Sequence, residues 1–148
     1  MPAFVTFGRI LFAVLFVFSG ASKLLDLSAT AQMTEKIVLP AALATYTGQL
    51  EGIVGMPMPQ ILAIAAGALE VICGLMIALN FGARFFAILL ILFVVGATFY
   101  FHDFWNQTGT DARSNLFQAL KNLSIIGALF MIVGSGPPAR AQEAAYDV

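Results

Sequence analysis

The sequence predicts an all-α integral membrane protein, a four-helix bundle with a short interfacial helix in its one long connection. Three observations predict it. Hydrophobic residues make up 60% of the 148-residue chain and charged residues only 10%, against about 25% charged in a soluble domain. Four apolar runs approach the ~20 residues that a helix needs to cross the hydrocarbon core of a bilayer. Each of these runs holds at most one charged residue. Too little polar sequence is left to coat a water-soluble core, so residues 1–148 read as a single membrane domain.

The first run covers residues 4–22 and has Arg9 as its only charge, which places a helix over about residues 4–23. No basic residue precedes this run and Arg9 lies inside it, so it reads as a span rather than a cleaved leader. Residues 28–39 are expected to form a short amphipathic helix at the interface, ended by Pro40. Met56-Pro57-Met58-Pro59 then punctuates the chain, with Pro59 suited to the start of a helix. The second span, about 60–79, carries Glu70 alone. Residues 80–84 make a tight turn, and the third span, about 84–102, has no charge in its apolar run of 85–101. Residues 102–115 are polar and turn-rich. The fourth span, about 115–133, carries Lys121, and the Pro-containing tail 134–148 is expected to be partly disordered.

The segment Phe7-Gly8-Arg9-Ile10-Leu11-Phe12-Ala13 resembles Phe81-Gly82-Ala83-Arg84-Phe85-Phe86-Ala87 with one residue slipped. Either the chain is a parallel repeat of two helix pairs, or two Phe-, Ala- and Leu-rich runs match by composition. Four spans put both termini on one side, here side A, with Arg9, Arg84 and Arg140. Lys23, Lys36, Arg113 and Lys121 fall on the opposite side B, so the positive-inside rule barely discriminates. The long connection, Trp105 and most acidic residues lie toward side B, and side A is taken as cytoplasmic.

Composition also excludes. A net charge of −1 gives no electrostatic support for nucleic-acid binding. One cysteine, Cys73, allows no intrachain disulfide or CxxC pair. One histidine, His102, allows no bis-histidine haem and argues against a protein-only metal site. No cofactor is expected within the chain itself, apart from a bound quinone.

The residues that could carry chemistry are the polar ones inside the spans, because a charge at mid-membrane costs about 2.5–3.5 kcal/mol on insertion scales. Glu70 is central to its helix, and its face holds Ala63, Ala66, Gly67, Cys73 and Gly74, the small residues that a close helix contact requires. It should therefore face other helices, with Arg9 and Lys121 as candidate partners. A buried pair that locks register and a proton-handling or ligand-binding carboxyl are both open. A second cluster gathers at the side B ends: Lys23 and Asp26, three apart on one helical face; His102, Asp103, Trp105 and Asn106; and a stripe of Asn115, Gln118 and Asn122 with Lys121 beside it. Lys23 would otherwise snorkel to the headgroups, and Trp105 and Tyr100 would otherwise form an interfacial belt. Lys121 and Asn122 are expected to point inward. His102 beside Asp103 is a candidate proton carrier.

These residues carry a family resemblance. Gly8-Arg9-Ile10-Leu11-Phe12 through Phe18-Ser19-Gly20-Ala21-Ser22-Lys23-Leu24-Leu25-Asp26 is similar to the first helix of the DoxX family. So are Leu69-Glu70-Val71-Ile72-Cys73-Gly74-Leu75, Thr98-Phe99-Tyr100-Phe101-His102-Asp103-Phe104-Trp105, and Leu120-Lys121-Asn122-Leu123. The resemblance runs from about residue 7 to 134. It implies a four-helix bacterial or archaeal membrane protein, related to small subunits associated with terminal quinol oxidase and thiosulfate:quinone oxidoreductase. Arg9, Lys23, Glu70, His102, Lys121 and Asn122 match the family's polar positions, and no catalytic role is carried over with them.

The expectation is a subunit of, or accessory to, a quinone-linked redox system in the bacterial cytoplasmic membrane. Glu70, Lys121 and His102 are its catalytic candidates. Arg9, Lys23, Asp26, Asp103, Trp105, Asn106 and Asn122 are its ligand-binding candidates. Electrons would come from a small donor near Lys23 or from a partner subunit. The alternatives are a non-enzymatic assembly subunit and, last, a small-solute transporter or lipid-binding protein. The expected partners are the lipid bilayer, subunits of a membrane redox complex and further copies of the chain.

Overall fold

The computed structural model describes residues 3–135. The fold class is as predicted: every regular element among these residues is helical, and four helices are long and apolar enough to cross a membrane. The elements are α1 (Ala3–Leu25), α2 (Leu27–Thr34), α3 (Ala44–Val54), α4 (Met58–Ala78), α5 (Ala83–Phe101) and α6 (Gly109–Gly134), with 3₁₀ turns at Ala41–Leu43 and Phe104–Asn106. The chain divides into two compact units, Met1–Phe81 and Gly82–Val148. The boundary falls inside Phe81-Gly82-Ala83-Arg84-Phe85-Phe86-Ala87, the segment that resembles residues 7–13.

The first unit is built on the contact of α1 with α4. Arg9, Ala13, Phe16 and Gly20 are buried on α1, and Ala63, Gly67, Glu70, Gly74 and Ile77 on α4. Both sets recur at three and four residues, the period of one helical face. Gly20 lies against Gly67 and Glu70 while Ala13 and Phe16 lie against Gly74, so the helices run antiparallel. The glycines set the separation. A Cβ on Gly20 would stand 2.5 Å from the Gly67 carbonyl oxygen, and one on Gly67 would stand 3.0 Å from the Gly20 carbonyl oxygen. In a bilayer, where lipid is as apolar as leucine, such close backbone packing is a principal source of helix association.

The long connection differs from expectation. The helix foreseen over residues 28–39 is the shorter α2, and a second helix, α3, follows it. Asp26 caps α2, its Oδ1 accepting from Ala29 N at 3.1 Å. Thr30, Ala31 and Thr34 form the buried face of α2, and Thr34 Oγ1 donates to the Pro59 carbonyl at 2.7 Å, tying α2 to the start of α4. Beyond Thr34 the buried face runs out, and the Lys36 and Ile37 N–H groups turn back onto Met33 and Thr34 carbonyls. The helix therefore stops well short of Pro40. After the 3₁₀ turn, α3 runs to Gly55, whose left-handed φ of 72° ends it. Glu51 then reaches forward, accepting from Met58 N at 2.6 Å in the first turn of α4.

In the second unit α5 packs on α6; Ala83, Ala87, Leu90 and Val94 are buried on α5 and Leu129 on α6. The fourth span begins at Gly109, earlier than residue 115. Gly109, at φ 66°, turns the chain from the extended Thr108 into the helix, and Asp111 in the first turn suits the positive end of the helix dipole. Of the tail expected over 134–148, Gly134 and Ser135 close α6. Residues 136–148, Arg140 among them, lie outside the described residues.

Candidate functional site

The sharpest polar site lies in the first unit. Lys23 sits in the last turn of α1. Side chains on a helix tilt toward its N-terminus, so Lys23 leans back into the span. Its Nζ donates to Ser19 Oγ at 2.6 Å and to Glu70 Oε2 at 2.8 Å. The Glu70 side chain is 6% exposed and that of Lys23 30%, so the carboxylate is enclosed while the ammonium straddles the edge. Gly20 makes room for this: a Cβ there would stand 2.9 Å from Glu70 Cβ.

The partner of Glu70 is thus Lys23, where the sequence pointed to Arg9 or Lys121. Lys23 does not snorkel away from the pair, because a buried carboxylate one helix away is a better neighbour than the headgroups. Asp26 is not part of the site. Its N–H donates to the Ser22 carbonyl, and its carboxylate accepts from Ala29 N and from Ser28 Oγ at 3.0 Å. The charge that shares a helical face with Lys23 serves as a cap for α2.

At the opposite end of the α1–α4 pair Arg9 is only 6% exposed. Its Nη1 donates to Asn80 Oδ1, and its Nε is buried without a hydrogen-bond partner. Asn80 stands in the turn after α4, at a left-handed φ of 58° that asparagine tolerates.

The second unit holds a chain of polar side chains at its α5–α6 end. Gln107 Nε2 donates to Asp103 Oδ1 at 2.6 Å, Asn115 Nδ2 donates to Gln107 Oε1 at 2.7 Å, and Asn115 Oδ1 lies 3.0 Å from His102 Nδ1. His102 and Asp103, expected as a direct pair, are joined through two amides instead. A carboxylate can only accept. Asp103 therefore fixes the orientation of Gln107, Gln107 fixes Asn115, and Asn115 presents an oxygen that requires a proton on His102 Nδ1. A neutral His102 is expected to be the Nδ1–H tautomer, with Nε2 as the accepting nitrogen. Side-chain nitrogen-15 chemical shifts would read this directly, Asn115→Leu should relax the preference, and a dominant Nε2–H ring would contradict it.

Asn122 points inward as foreseen, its Nδ2 donating to Thr98 Oγ1 at 2.9 Å across the α5–α6 contact. Lys121 does not. It is exposed, with its Nζ 3.4 Å from Gln118 Oε1. Asn115, Asn122 and Leu129 share one face, and a single residue step turns Lys121 about 100° away from it. Trp105 is half exposed and rests on Phe99 and Phe104, with ring centroids 5.7 and 5.1 Å away, an arrangement suited to a membrane interface. Asn106 is exposed and closes the 3₁₀ turn, its N–H donating to the Asp103 carbonyl at 2.9 Å. Among the described residues no three His, Cys, Asp or Glu side chains are grouped to hold a metal ion.

Ser19, Asn80, Thr98 and Gln107 were not singled out by sequence. Ser19 alone had a local signal, one helical turn before Lys23. The other three are brought to their partners by packing.

An all-α, multi-pass membrane protein with polar side chains paired inside its helix contacts is the class that these features define. The DoxX family model matches residues 4–103, and the chain belongs to the DoxX family. That match includes Arg9, Lys23, Glu70 and His102 and ends before α6. The chain is also similar to the Inner membrane protein YphA of Escherichia coli (strain K12), 30% identical over 138 residues, which are 93% of this chain and 86% of that protein. No solved structure matches it. Family, relative and helices together make this a multi-pass inner membrane protein.

Proposed function

We propose that the protein is a subunit of, or accessory to, a quinone-linked redox system of the inner membrane, with the Lys23–Glu70 pair as the site that holds a quinone headgroup. The observation that carries this reading is the position of Lys23 Nζ between Ser19 Oγ and Glu70 Oε2. The donor set fits such a group: a partly exposed ammonium can donate to a carbonyl oxygen, and a buried carboxylate beside it can take up or pass on a proton. Bound there, a quinone would supply two-electron redox chemistry coupled to two protons. Lys23 would orient the headgroup, Ser19 would hold the ammonium in place when the carboxylate changes partner, and Glu70 would relay protons from side B. The electrons would come from a partner subunit or a small donor. Side A, with both termini, would face the cytoplasm.

The test is binding of decylubiquinone to the full chain in mild detergent, together with quinone turnover in native membranes. Glu70→Gln and Lys23→Gln are expected to weaken binding about tenfold, the equivalent of one charge-assisted hydrogen bond, and to slow turnover. Unchanged binding and turnover in folded variants would overturn the reading.

A non-enzymatic assembly subunit is the second reading. It is favoured by the ion pair being satisfied between α1 and α4, as in a lock on helix register. Variants that leave quinone binding intact but lose a co-purifying membrane partner would select it.

A further inference from the structure

We infer that Arg9, oriented by Asn80, forms a phosphate-binding site at the side A end of the α1–α4 pair. This site is separate from the Lys23–Glu70 pair and does not depend on the quinone reading. The two buried charges of the first unit are treated differently by the fold. Glu70 has its counter-ion in Lys23. Arg9, equally enclosed at 6% exposure, makes its hydrogen bond to a neutral amide, Asn80 Oδ1. Among the described residues no carboxylate forms an ion pair with it. Its Nε is moreover the one buried side-chain nitrogen or oxygen without a hydrogen-bond partner among the described residues. A cation enclosed among membrane helices with an unused donor calls for an anion.

The geometry specifies the kind of anion. Guanidinium donors lie in one plane, and the edge made by Nε and Nη2 matches two oxygens of one phosphate. Asn80 holds Nη1, outside that edge, and so orients the edge without using it. Position specifies the level. Arg9 lies ~9 Å along α1 from Ala3 at 1.5 Å per residue, and its side chain leans back toward the start of the helix. That brings the guanidinium toward the interface, beside the turn that follows α4, where lipid phosphates lie. A phosphodiester of an anionic lipid and free inorganic phosphate offer the same oxygens, and the site is defined by that shared chemistry.

The experiment uses the full chain, purified and delipidated in detergent, with native mass spectrometry as readout. The probes are phosphatidylglycerol, a neutral diacylglycerol and inorganic phosphate. The wild type is expected to retain one phosphatidylglycerol and to reject the diacylglycerol. Arg9→Gln should lower phosphatidylglycerol occupancy about tenfold. Arg9→Lys keeps the charge but loses the planar fork, and should lower it severalfold. It also serves as the folded variant if the glutamine substitution does not assemble. Millimolar inorganic phosphate that displaces the lipid would identify free phosphate as a source; lipid that resists it would identify the headgroup. Equal phosphatidylglycerol occupancy in the wild type and in a folded Arg9 variant would overturn the site, as would equal retention of the diacylglycerol.

Discussion

Gly20→Val is expected to destabilise the α1–α4 pair by about 3 kcal/mol or more, the upper end of overpacking costs. The nearest atom in the way belongs to the backbone, not to the end of a flexible side chain. A Cβ on Gly20 would lie 2.5 Å from the Gly67 carbonyl oxygen and 2.9 Å from Glu70 Cβ, so the helix backbones themselves must separate. Separation would draw Lys23 away from Glu70, whose bond of 2.8 Å depends on that approach, so packing and ion pair should fail together. Unfolding in mixed micelles would measure the loss. Gly96→Ala is the control, because a Cβ at Gly96 meets nothing within 4 Å and alanine in a helix interior gains about 0.5–1 kcal/mol over glycine. Similar behaviour of the two variants would refute the claim that Gly20 sets the helix separation.

Lys23→Met is expected to cost about 3–5 kcal/mol, the cost of removing one partner from a buried pair. The complementary change, Glu70→Gln, should cost distinctly less. The asymmetry follows from exposure. Lys23, 30% exposed and close to the end of α1, can swing toward the headgroups when Glu70 is neutralised. Glu70, 6% exposed among Gly67, Cys73 and Gly74, has no such escape. Ser19 can donate one hydrogen bond but cannot replace the charge. The double variant Lys23→Met/Glu70→Met should return close to wild-type stability, since an apolar pair of similar volume avoids the desolvation of two charges. Thermal unfolding of the three variants in one detergent tests this. Equal losses for the two single variants, or additive losses in the double, would show that the groups are not coupled in this way.

Most of the helical architecture was legible in the sequence because the bilayer imposes a length and a polarity on each span. The apolar runs around Arg9, Glu70 and Lys121 and the uncharged third run each read as a span, the first of them against the alternative of a cleaved leader. The close-packed face of α4 was also legible, since Gly67, Glu70 and Gly74 recur at helical spacing among small residues. The long connection was less so. In α3 the apolar residues Tyr46, Leu50, Ile53 and Val54 are interrupted by threonines and glycines, and the helix has no buried residue. Its periodic signal was correspondingly faint. The start of α6 was hidden by its polar first turns, which helix capping favours but hydropathy does not register.

What the sequence determined by itself was the class of the protein, the number of spans, the enclosure of Glu70 and the inward face of Asn122. All follow from composition and from the 3.6-residue period, which are local properties. Tertiary structure alone decided the partners. Which cation meets Glu70 depends on the axial offset and separation of two antiparallel helices, and these are set by the contact of Gly20 with Gly67. That contact brings Lys23 to the carboxylate and leaves Arg9 at the far end with Asn80. Likewise, His102 and Asp103 are adjacent in the chain, yet the turn at Phe104–Asn106 and the approach of α6 place Gln107 and Asn115 between them. Hydrogen bonds act over about 3 Å, a distance smaller than the shift produced by sliding a helix along its neighbour by one turn.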